Sequence, residues 1–220
     1  MTPSLTRGSV IAVVGAESTG KTELARVLGE RLTQRGIATT LVPELLRDWC
    51  IRNGRTPRPD EQAAIADEQT RRIAEAARHG VVVADTTALM TAVYSDLLFD
   101  DPALYTDALA AQAGYTMTLL TALDLPWVAD GLQRDGPHVR EPVDALVRTA
   151  LARASVSYAV VHGRGPGRLA SALTALNLAS DTEPAVSTRV VGEAWRWSCE
   201  KCSDPVCEHR LFTDLLSRRT

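Results

Sequence analysis

The feature that most constrains the fold of this chain is the run Gly15-Ala16-Glu17-Ser18-Thr19-Gly20-Lys21-Thr22, which fits the pattern G-x-x-x-x-G-K-[ST]. Residues 9–14 before it are apolar and largely β-branched, as in a buried strand, and residues 22–35 after it carry apolar side chains at helical spacing. Glycines permit the tight turn of such a loop, and backbone N–H groups at the start of the helix surround an anion. The sequence therefore predicts an ATP-binding phosphate loop that extends to Glu23.

Three side chains are predicted to handle the phosphates and their metal. Lys21 would reach the β- and γ-phosphates, and the Thr22 hydroxyl would bind Mg²⁺. Asp85 directly follows another apolar run, residues 81–84, and is the natural acidic partner for the metal. Thr86 follows where ATP-hydrolysing machines commonly place a glutamate, and the chain has no N-K-x-D string for reading guanine. The pattern favours a kinase that uses ATP and Mg²⁺.

Strand-like and helix-like segments alternate along the chain. Apolar strands separated by helices are typical of a parallel sheet covered on both faces. The predicted fold class is therefore α/β, a P-loop NTPase of the nucleoside- or nucleotide-kinase kind with five parallel strands. Asp60 is the predicted cap of the third helix. The predicted strands are 9–14, 37–42, 81–84, 115–121 and 157–161, and the predicted helices are 22–35, 44–53, 60–79, 88–99, 102–113, 141–154 and 169–178.

Residues 1–180 are predicted to form the kinase domain, and its long polar loop at about 122–140 is interpreted as a lid. Kinase lids exclude water and bring arginines to the transferring phosphoryl group, which makes Arg134 and Arg140 candidate catalytic residues. Residues 181–220 are predicted to be a linker and a small appendage.

The appendage contains the pattern C-x-x-C-x-x-x-x-C-x-H, formed by Cys199, Cys202, Cys207 and His209. Three thiolates and an imidazole are the ligands of a closed, structural zinc site, so structural Zn²⁺ is a further predicted cofactor. Free thiols without metal and a redox C-x-x-C pair are the alternatives.

Composition excludes several classes of protein. A formal net charge of −3 gives no basic surface for nucleic acid or anionic lipid, so neither is a predicted partner. No apolar run is long enough for a membrane span, and the N-terminal residues do not resemble a signal peptide, so a cytoplasmic location is expected. Only two of the 24 basic residues are lysines, Lys21 and Lys201, and both lie inside the motifs described above.

Three pairs of polar or aromatic residues follow predicted strands, at the sheet edge where acceptor molecules bind. A carboxylate there can accept a proton from a sugar hydroxyl, and an indole can stack on an aromatic or cationic ring. The candidate acceptor-binding residues are Glu44 and Arg47, Asp85 and Thr87, and Trp127 and Asp130. Two of them also have a structural interpretation, Glu44 as a charge at a helix N-terminus and Trp127 as a packed or capping aromatic side chain.

Several motifs together resemble the ribosylnicotinamide kinase domain of bacterial NadR-type proteins. In addition to the phosphate loop they are Pro43-Glu44-x-x-Arg47, Ile65-Ala66-x-x-Gln69, Asp85-Thr86-Thr87 with Thr91, and Pro126-Trp127-Val128-x-Asp130-Gly131-x-x-Arg134. The resemblance covers about residues 9–178. It implies a P-loop kinase fold and ATP-dependent phosphorylation of the 5′-hydroxyl of nicotinamide riboside, which gives nicotinamide mononucleotide.

The chain departs from this family at two positions. Leu45 stands where relatives often have an aromatic residue, and Thr87 stands where they often have a second aspartate. No adenylyltransferase H-x-G-H signature is present, so a stand-alone kinase is expected, and a homo-oligomer is compatible with the sequence. The alternatives are a kinase of another nucleoside or small metabolite, and a regulatory ATP-binding protein whose Cys-rich appendage docks a partner. Whether Glu44 or Asp85 orients the acceptor hydroxyl is left open.

Overall fold

The computed structural model describes residues 5–128 and 137–178 of the chain. The backbone divides into two units, Met1–Asp181 and Thr182–Thr220, and the second lies outside the described residues. Within the described ranges, no helix is both long and apolar enough to cross a membrane.

Five parallel strands form one sheet in the order β2-β3-β1-β4-β5, which confirms the predicted sheet. The strands are β1 Val10–Val14, β2 Thr39–Val42, β3 Val81–Asp85, β4 Met117–Thr121 and β5 Tyr158–Val161. The helices are α1 Lys21–Gln34, α2 Leu45–Asn53, α3 Pro59–Ala77, α4 Ala88–Phe99, α5 Tyr105–Ala113, α6 Arg140–Arg153 and α7 Pro166–Ala175, with a short 3₁₀ helix at Pro137–Val139.

Helices cover both faces of the sheet because its central strands are apolar on both sides. On one face, Leu24 and Leu28 of α1 and Leu173 of α7 pack against Ile11 and Val13 of β1. On the other face, α4 and α6 pack against Val14 and Leu120. The edge strands are the most exposed, with Leu41 on β2 and Val160 on β5 each 40% exposed.

The start of α3 differs from the sequence prediction. The helix begins at Pro59, one residue before the predicted Asp60, and Arg58 occupies the cap position. Proline is favoured in the first turn because its missing N–H has no partner there anyway. The Glu61 carboxylate accepts a hydrogen bond from the Arg58 N–H at 2.8 Å and so stabilises this start.

The sheet order places the ends of three strands side by side. β1 lies between β3 and β4, with Val13 beside Asp85 and Val14 beside Leu120. Strands β2 and β3 lie on one side of β1, and β4 and β5 lie on the other, so the strand order reverses at β1. Ligands of open parallel sheets bind at such a switch point. The phosphate loop, Asp85 and the segment after β4 therefore meet at one edge.

Candidate active site

The phosphate loop is shaped by two glycines and one buried threonine. Gly15 has a φ of +144°, and a Cβ atom at this position would collide with Thr121. Gly20 has a φ of +75°, and its Cβ would meet Leu125 at 2.9 Å. The Thr19 hydroxyl lies 2.7 Å from the Ala16 carbonyl and 2.6 Å from the Thr121 hydroxyl. The loop conformation therefore requires glycine at positions 15 and 20, where no larger residue fits, and the hydrogen bonds of Thr19 hold it.

Lys21 begins α1 and lies in a buried, acidic surrounding. Its ammonium group donates to the Ala16 carbonyl at 2.8 Å. Burial lowers the pKa of Lys21 below its usual range, and the nearby carboxylates Glu44, Glu17 and Asp85 oppose this effect. A phosphate group beside Lys21 would add to the negative charge that favours the protonated ammonium.

Asp85 and Thr22 fit the predicted magnesium site. Asp85 is 3% exposed and accepts a hydrogen bond from the Thr22 hydroxyl. Its Oδ1 atom is buried and has no hydrogen-bond partner among the described residues. Burial is the main cause that raises the pKa of Asp85, and the Thr22 hydrogen bond works against it. A buried carboxylate oxygen without a partner, next to a hydroxyl, is a suitable ligand pair for Mg²⁺.

Arg168 of α7 ties the phosphate loop to the segments after β4 and β5. Its Nη1 donates to Asp124 Oδ1 at 2.8 Å and to the Gly163 carbonyl at 2.6 Å. Its Nη2 donates to the Thr19 carbonyl at 2.8 Å and to the Ala122 carbonyl at 3.2 Å. Burial raises the pKa of Asp124, but the hydrogen bonds from Arg168 and from the Gly163 N–H outweigh it and hold this pKa below its usual range.

Two cavities adjoin the phosphate loop on this side. The first, which we call the phosphate cavity, has a volume of about 550 Å³ and is lined by residues 18–23, Arg47, Leu125, Pro126 and Val128. The second is mainly apolar, has a volume of about 370 Å³, and includes Gly20, Leu24, Leu125, Gly165 and Leu169 in its lining. An apolar cavity beside a phosphate site has the character of a site for a flat base.

A third cavity, the acceptor cavity, lies beside the ends of β1 and β2. Its lining combines carboxylates, the cations Lys21 and Arg47, and apolar side chains. The lining residues are Glu17, Lys21, Glu44, Leu46, Arg47, Cys50, Thr56, Pro57, Gln62, Tyr94, Leu97, Leu98 and Val139. Its volume is about 80 Å³, below the few hundred Å³ of a typical small-molecule site, so a ligand of nucleoside size has to displace wall side chains.

Glu17 lines the acceptor cavity and is absent from the lining of the phosphate cavity. The sequence assigned it to ATP only because it belongs to the phosphate loop. Glu44 occupies the N-cap position of α2, is 9% exposed, and accepts a hydrogen bond from Arg47 Nε at 3.2 Å. Lys21 and Arg47 line both the phosphate and the acceptor cavity, so the two cavities share a wall.

Gln69 of α3 joins the ends of β2 and β3. Its Oε1 accepts from the Leu45 N–H at 2.8 Å, and its Nε2 donates to the carbonyls of Pro43 at 3.3 Å and Thr86 at 3.5 Å. Thr86, the residue after Asp85, has a φ of +68°, a left-handed conformation that costs energy for a β-branched residue. Gln69 therefore holds both the segment that carries Glu44 and the strained turn that follows the metal-site carboxylate.

The structure separates some of the predicted acceptor residues from the acceptor cavity. Thr87 is 2% exposed and donates to Gln112 Oε1 at 2.7 Å, so its hydroxyl faces α5 and not the cavity. Trp127 is half-buried, its Nε1 atom has no partner within the described ranges, and it does not line the cavity. Asp85 also does not line it.

The structure describes one of the two predicted lid arginines. Arg140 is the first residue of α6, is 9% exposed, and donates to the Leu123 carbonyl at 3.1 Å, so it lies on a helix and not in a loop. Arg134 and Asp130 lie outside the described residues, as do Cys199, Cys202, Cys207 and His209. Within 5–128 and 137–178, no group of three or more His, Cys, Asp or Glu side chains is arranged to hold a metal ion.

No sequence pattern assigns a role to three residues that the site depends on. Gln69 belongs to a family motif that gives it no function, and Gln62 and Arg168 belong to no motif. Buried glutamines on a long helix are a signal that could have been used, because an uncharged polar residue on an apolar face requires partners. Arg168 gave no such signal, since 22 of the 24 basic residues are arginines.

These features together define a P-loop nucleotide-binding protein with a kinase fold. They are strand β1, the loop shaped by Gly15 and Gly20, and the side chains of Lys21, Thr22 and Asp85. The family described as AAA domain matches residues 10–168, and the chain belongs to this family. No curated protein sequence matches the chain significantly.

Three solved structures share the fold. A NadR protein in complex with NR superposes with a TM-score of 0.62 at 21% identity, covering 80% of this chain and 52% of that one. A NadR protein in complex with NAD and AMP-PNP gives 0.59 at 16% identity, with 87% and 52% covered. Thymidylate kinase from Ehrlichia chaffeensis gives 0.51 at 15% identity, with 71% and 88% covered. The chain thus spans about half the length of the NadR chains, and its resemblance to NadR-type proteins is confirmed at the level of the fold.

Proposed function

We propose that the chain is an ATP-dependent kinase that phosphorylates the 5′-hydroxyl of nicotinamide riboside to give nicotinamide mononucleotide. The observation that carries this proposal is the wall shared by the phosphate and acceptor cavities, to which Lys21 and Arg47 both contribute. A nucleotide-binding regulator needs the phosphate cavity alone. A kinase needs a second cavity at the γ-phosphate end, lined by a carboxylate such as Glu44.

On the phosphate side, the loop backbone and Lys21 would hold the β- and γ-phosphates of ATP, while Gly20 allows close approach of the backbone. Thr22 and Asp85 would hold Mg²⁺. When bound, this ion would neutralise part of the negative charge on the β- and γ-phosphates. Arg168 holds the loop in place through the Thr19 carbonyl and also lines the apolar cavity beside the loop.

On the acceptor side, Glu44 is better placed than Asp85 to orient the 5′-hydroxyl, because Glu44 lines the acceptor cavity and Asp85 does not. The hydroxyl oxygen would attack the γ-phosphorus, a new O–P bond would form, and the bond to the β–γ bridging oxygen would break and release ADP. The Glu44 carboxylate would accept the hydroxyl proton. Arg134 and Arg140 are proposed to stabilise the transferring phosphoryl group, with Arg140 acting from the start of α6.

The acceptor preference rests on charge and on the relatives. Glu17 and Glu44 give the cavity two carboxylates, and a phosphate bound to Lys21 would take up the charge of that cation. The cationic pyridinium ring of nicotinamide riboside suits such a cavity. The NadR structures contain NR in one case and NAD with AMP-PNP in the other, which supports a nicotinamide-containing acceptor.

The test is to incubate the protein with Mg-ATP and a panel of nucleosides and to weigh the products by mass spectrometry. Nicotinamide riboside is expected to gain one phosphoryl group, and Lys21→Ala is expected to lower kcat/KM by about a thousandfold, because a compact ammonium at the phosphates is lost. Arg26→Ala is the matched control, because Arg26 lies on the exposed face of α1 and, among the described residues, pairs with Glu23 and Glu30. Formation of ADP alone, whatever nucleoside is added, would contradict the proposal.

A kinase of another nucleoside is the second candidate, and Thr87 favours it. Where NadR-type relatives often carry an aspartate, this chain carries a buried threonine bonded to Gln112. The same panel decides between the two, since a different nucleoside would then be phosphorylated most efficiently.

We also propose that Cys199, Cys202, Cys207 and His209 bind structural Zn²⁺, on the sequence pattern alone. Metal analysis of the purified protein is expected to show about one zinc per chain, and Cys202→Ser is expected to lower that content. An unchanged metal content in the variant would contradict the zinc site.

A further inference from the structure

Two buried oxygen atoms in the lining of the acceptor cavity lack hydrogen-bond partners. They are Oε1 of Gln62 and Oε2 of Glu17, and neither has a partner in the described part of the chain. Gln62 is 2% exposed and Glu17 is 9% exposed, so water reaches them poorly. Buried polar atoms are normally paired, and leaving one unpaired costs free energy.

Both atoms are hydrogen-bond acceptors, which defines what can satisfy them. Leu46, Leu97 and Leu98 in the lining offer no side-chain donor. The donors that the lining does contain are Lys21, Arg47, Thr56 and Tyr94, and none of them donates to either oxygen atom. A ligand that fits this cavity therefore has to bring N–H or O–H groups of its own. Glu17 follows β1 in the phosphate loop, whereas Gln62 lies in the first turns of α3, so the two atoms belong to different walls of the cavity.

We propose that Gln62 is a specificity-determining residue whose Oε1 accepts a hydrogen bond from an amide N–H on the base of the acceptor. The inference rests on the proposed function, in which the acceptor carries a carboxamide with two N–H donors. A riboside with a carboxylate in place of this carboxamide presents only oxygen acceptors to Gln62, and the buried pair would repel. Gln62 thus selects the amide over the acid form of the same riboside.

The experiment compares phosphorylation of these two ribosides by the wild-type protein, Gln62→Met and Gln62→Glu. Wild type is expected to favour the carboxamide riboside by about 100-fold in kcat/KM, because a site built for an N–H donor rejects an analogue that lacks it. Gln62→Met has a similar size but no polar atom, and its preference is expected to fall to about tenfold or less. Gln62→Glu keeps an oxygen acceptor and is expected to retain the preference.

The outcomes separate this inference from the proposed function. If wild type phosphorylates neither riboside, the proposed function fails and the inference fails with it. If wild type phosphorylates the carboxamide riboside and Gln62→Met discriminates as strongly as wild type, only the inference fails. Loss of the preference in Gln62→Glu would also overturn it, because this variant keeps the acceptor oxygen on which the proposal depends.

Folding is checked by thermal melting, and the KM for ATP is expected to change little in either variant because Gln62 does not line the phosphate cavity. If Gln62→Met does not fold, Gln62→Glu decides the matter. Carboxamide activity within a few-fold of wild type supports the inference, and a drop of more than about tenfold overturns it.

Discussion

The phosphate side and the acceptor side of this site are each held by one buried polar side chain, but by different chemistry. On the phosphate side, the charged guanidinium of Arg168 makes four hydrogen bonds of 2.6–3.2 Å to three backbone carbonyls and one carboxylate. On the acceptor side, the neutral amide of Gln69 makes one bond of 2.8 Å and two longer ones of 3.3 and 3.5 Å. Both residues are at most 5% exposed.

The difference indicates how firmly each half is prepared for its ligand. Charge-assisted bonds from a planar fork are shorter and stronger than neutral amide bonds. The loop that receives a triphosphate is therefore fixed in advance, while the segment carrying Glu44 is held more loosely. A loosely held wall agrees with an acceptor cavity of about 80 Å³, which has to open before a nucleoside can enter.

The largest expected effect comes from Arg168→Met. The variant loses four hydrogen bonds and leaves Asp124 and three carbonyls without this partner, so we expect the free energy of unfolding to fall by about 2–3 kcal/mol. This figure is below that of a fully buried ion pair because the Asp124 side chain is 35% exposed. The KM for ATP should rise about tenfold or more, since the Thr19 carbonyl is no longer held. Denaturant unfolding and ATP titration measure the two quantities.

Two control variants sharpen the Arg168 prediction. Arg168→Lys keeps the charge but not the fork and is expected to lie between wild type and Arg168→Met. Arg71→Met removes an exposed pair with Glu68 and is expected to change neither quantity measurably. If Arg168→Met affected acceptor binding more than ATP binding, the assignment of Arg168 to the phosphate side would be wrong.

The sequence predicted the phosphate side better than the acceptor side, for physical reasons. The phosphate loop is a local motif, and its requirements for glycine, Lys21 and Thr22 can be identified from consecutive residues. Alternation of apolar strands and helices was sufficient to predict the five-stranded sheet. Asp85 ends a buried strand that pairs with β1, so the structure brings it beside the loop.

The acceptor side depends on contacts between residues far apart in the sequence. The hydrogen bond between Gln69 and Leu45 spans 24 residues, and no spacing pattern predicts it. Thr87 comes directly after the turn that follows β3, as an acceptor residue would, but its hydroxyl is used to bond Gln112. Position at a sheet edge therefore does not suffice to predict an acceptor-binding residue, because the direction of its side chain decides what it contacts.

Gln69→Leu is expected to have a smaller effect, confined to the acceptor side. It removes one good and two long hydrogen bonds and leaves the buried Leu45 N–H unpaired, so the free energy of unfolding should fall by about 1–2 kcal/mol. The KM for the acceptor should rise about tenfold while the KM for ATP stays unchanged, because the segment carrying Glu44 is released. Steady-state kinetics with each substrate varied in turn measure this difference.

Gln69→Glu is the matched variant, since its carboxylate can still accept from the Leu45 N–H but cannot donate to the carbonyls of Pro43 and Thr86. If the KM for the acceptor in Gln69→Glu returns close to the wild-type value, the increase seen in Gln69→Leu is due to the loss of the 2.8 Å bond from the Leu45 N–H. A rise in the KM for ATP in both variants would show that the two sides are not held independently.

The smallest expected effect has the opposite sign and lies where the two sides meet. Burial raises the pKa of Asp85, so the ionised carboxylate destabilises the ATP-free protein. A carboxyl whose pKa is raised on folding contributes stability below its unfolded pKa of 3.8 and loses that contribution as the pH rises through the folded pKa. Asp85→Asn should therefore be more stable than wild type at pH 7 by about 1 kcal/mol, and the difference should vanish below about pH 3.8.

The loss of function in Asp85→Asn should appear only when Mg-ATP is present, as weaker stabilisation by this ligand. Wild type is expected to gain thermal stability on addition of Mg-ATP, because the buried Oδ1 then acquires a cation, and the variant should gain much less. Melting curves with and without Mg-ATP, recorded across this pH range, measure both effects. A variant less stable than wild type at pH 7 without ligand would show that the Thr22 hydrogen bond outweighs burial at this carboxylate. Asp85 would then stabilise the folded protein, as Arg168 does on the phosphate side. Its unpaired Oδ1 would no longer indicate a metal-binding position that costs stability in the absence of the metal.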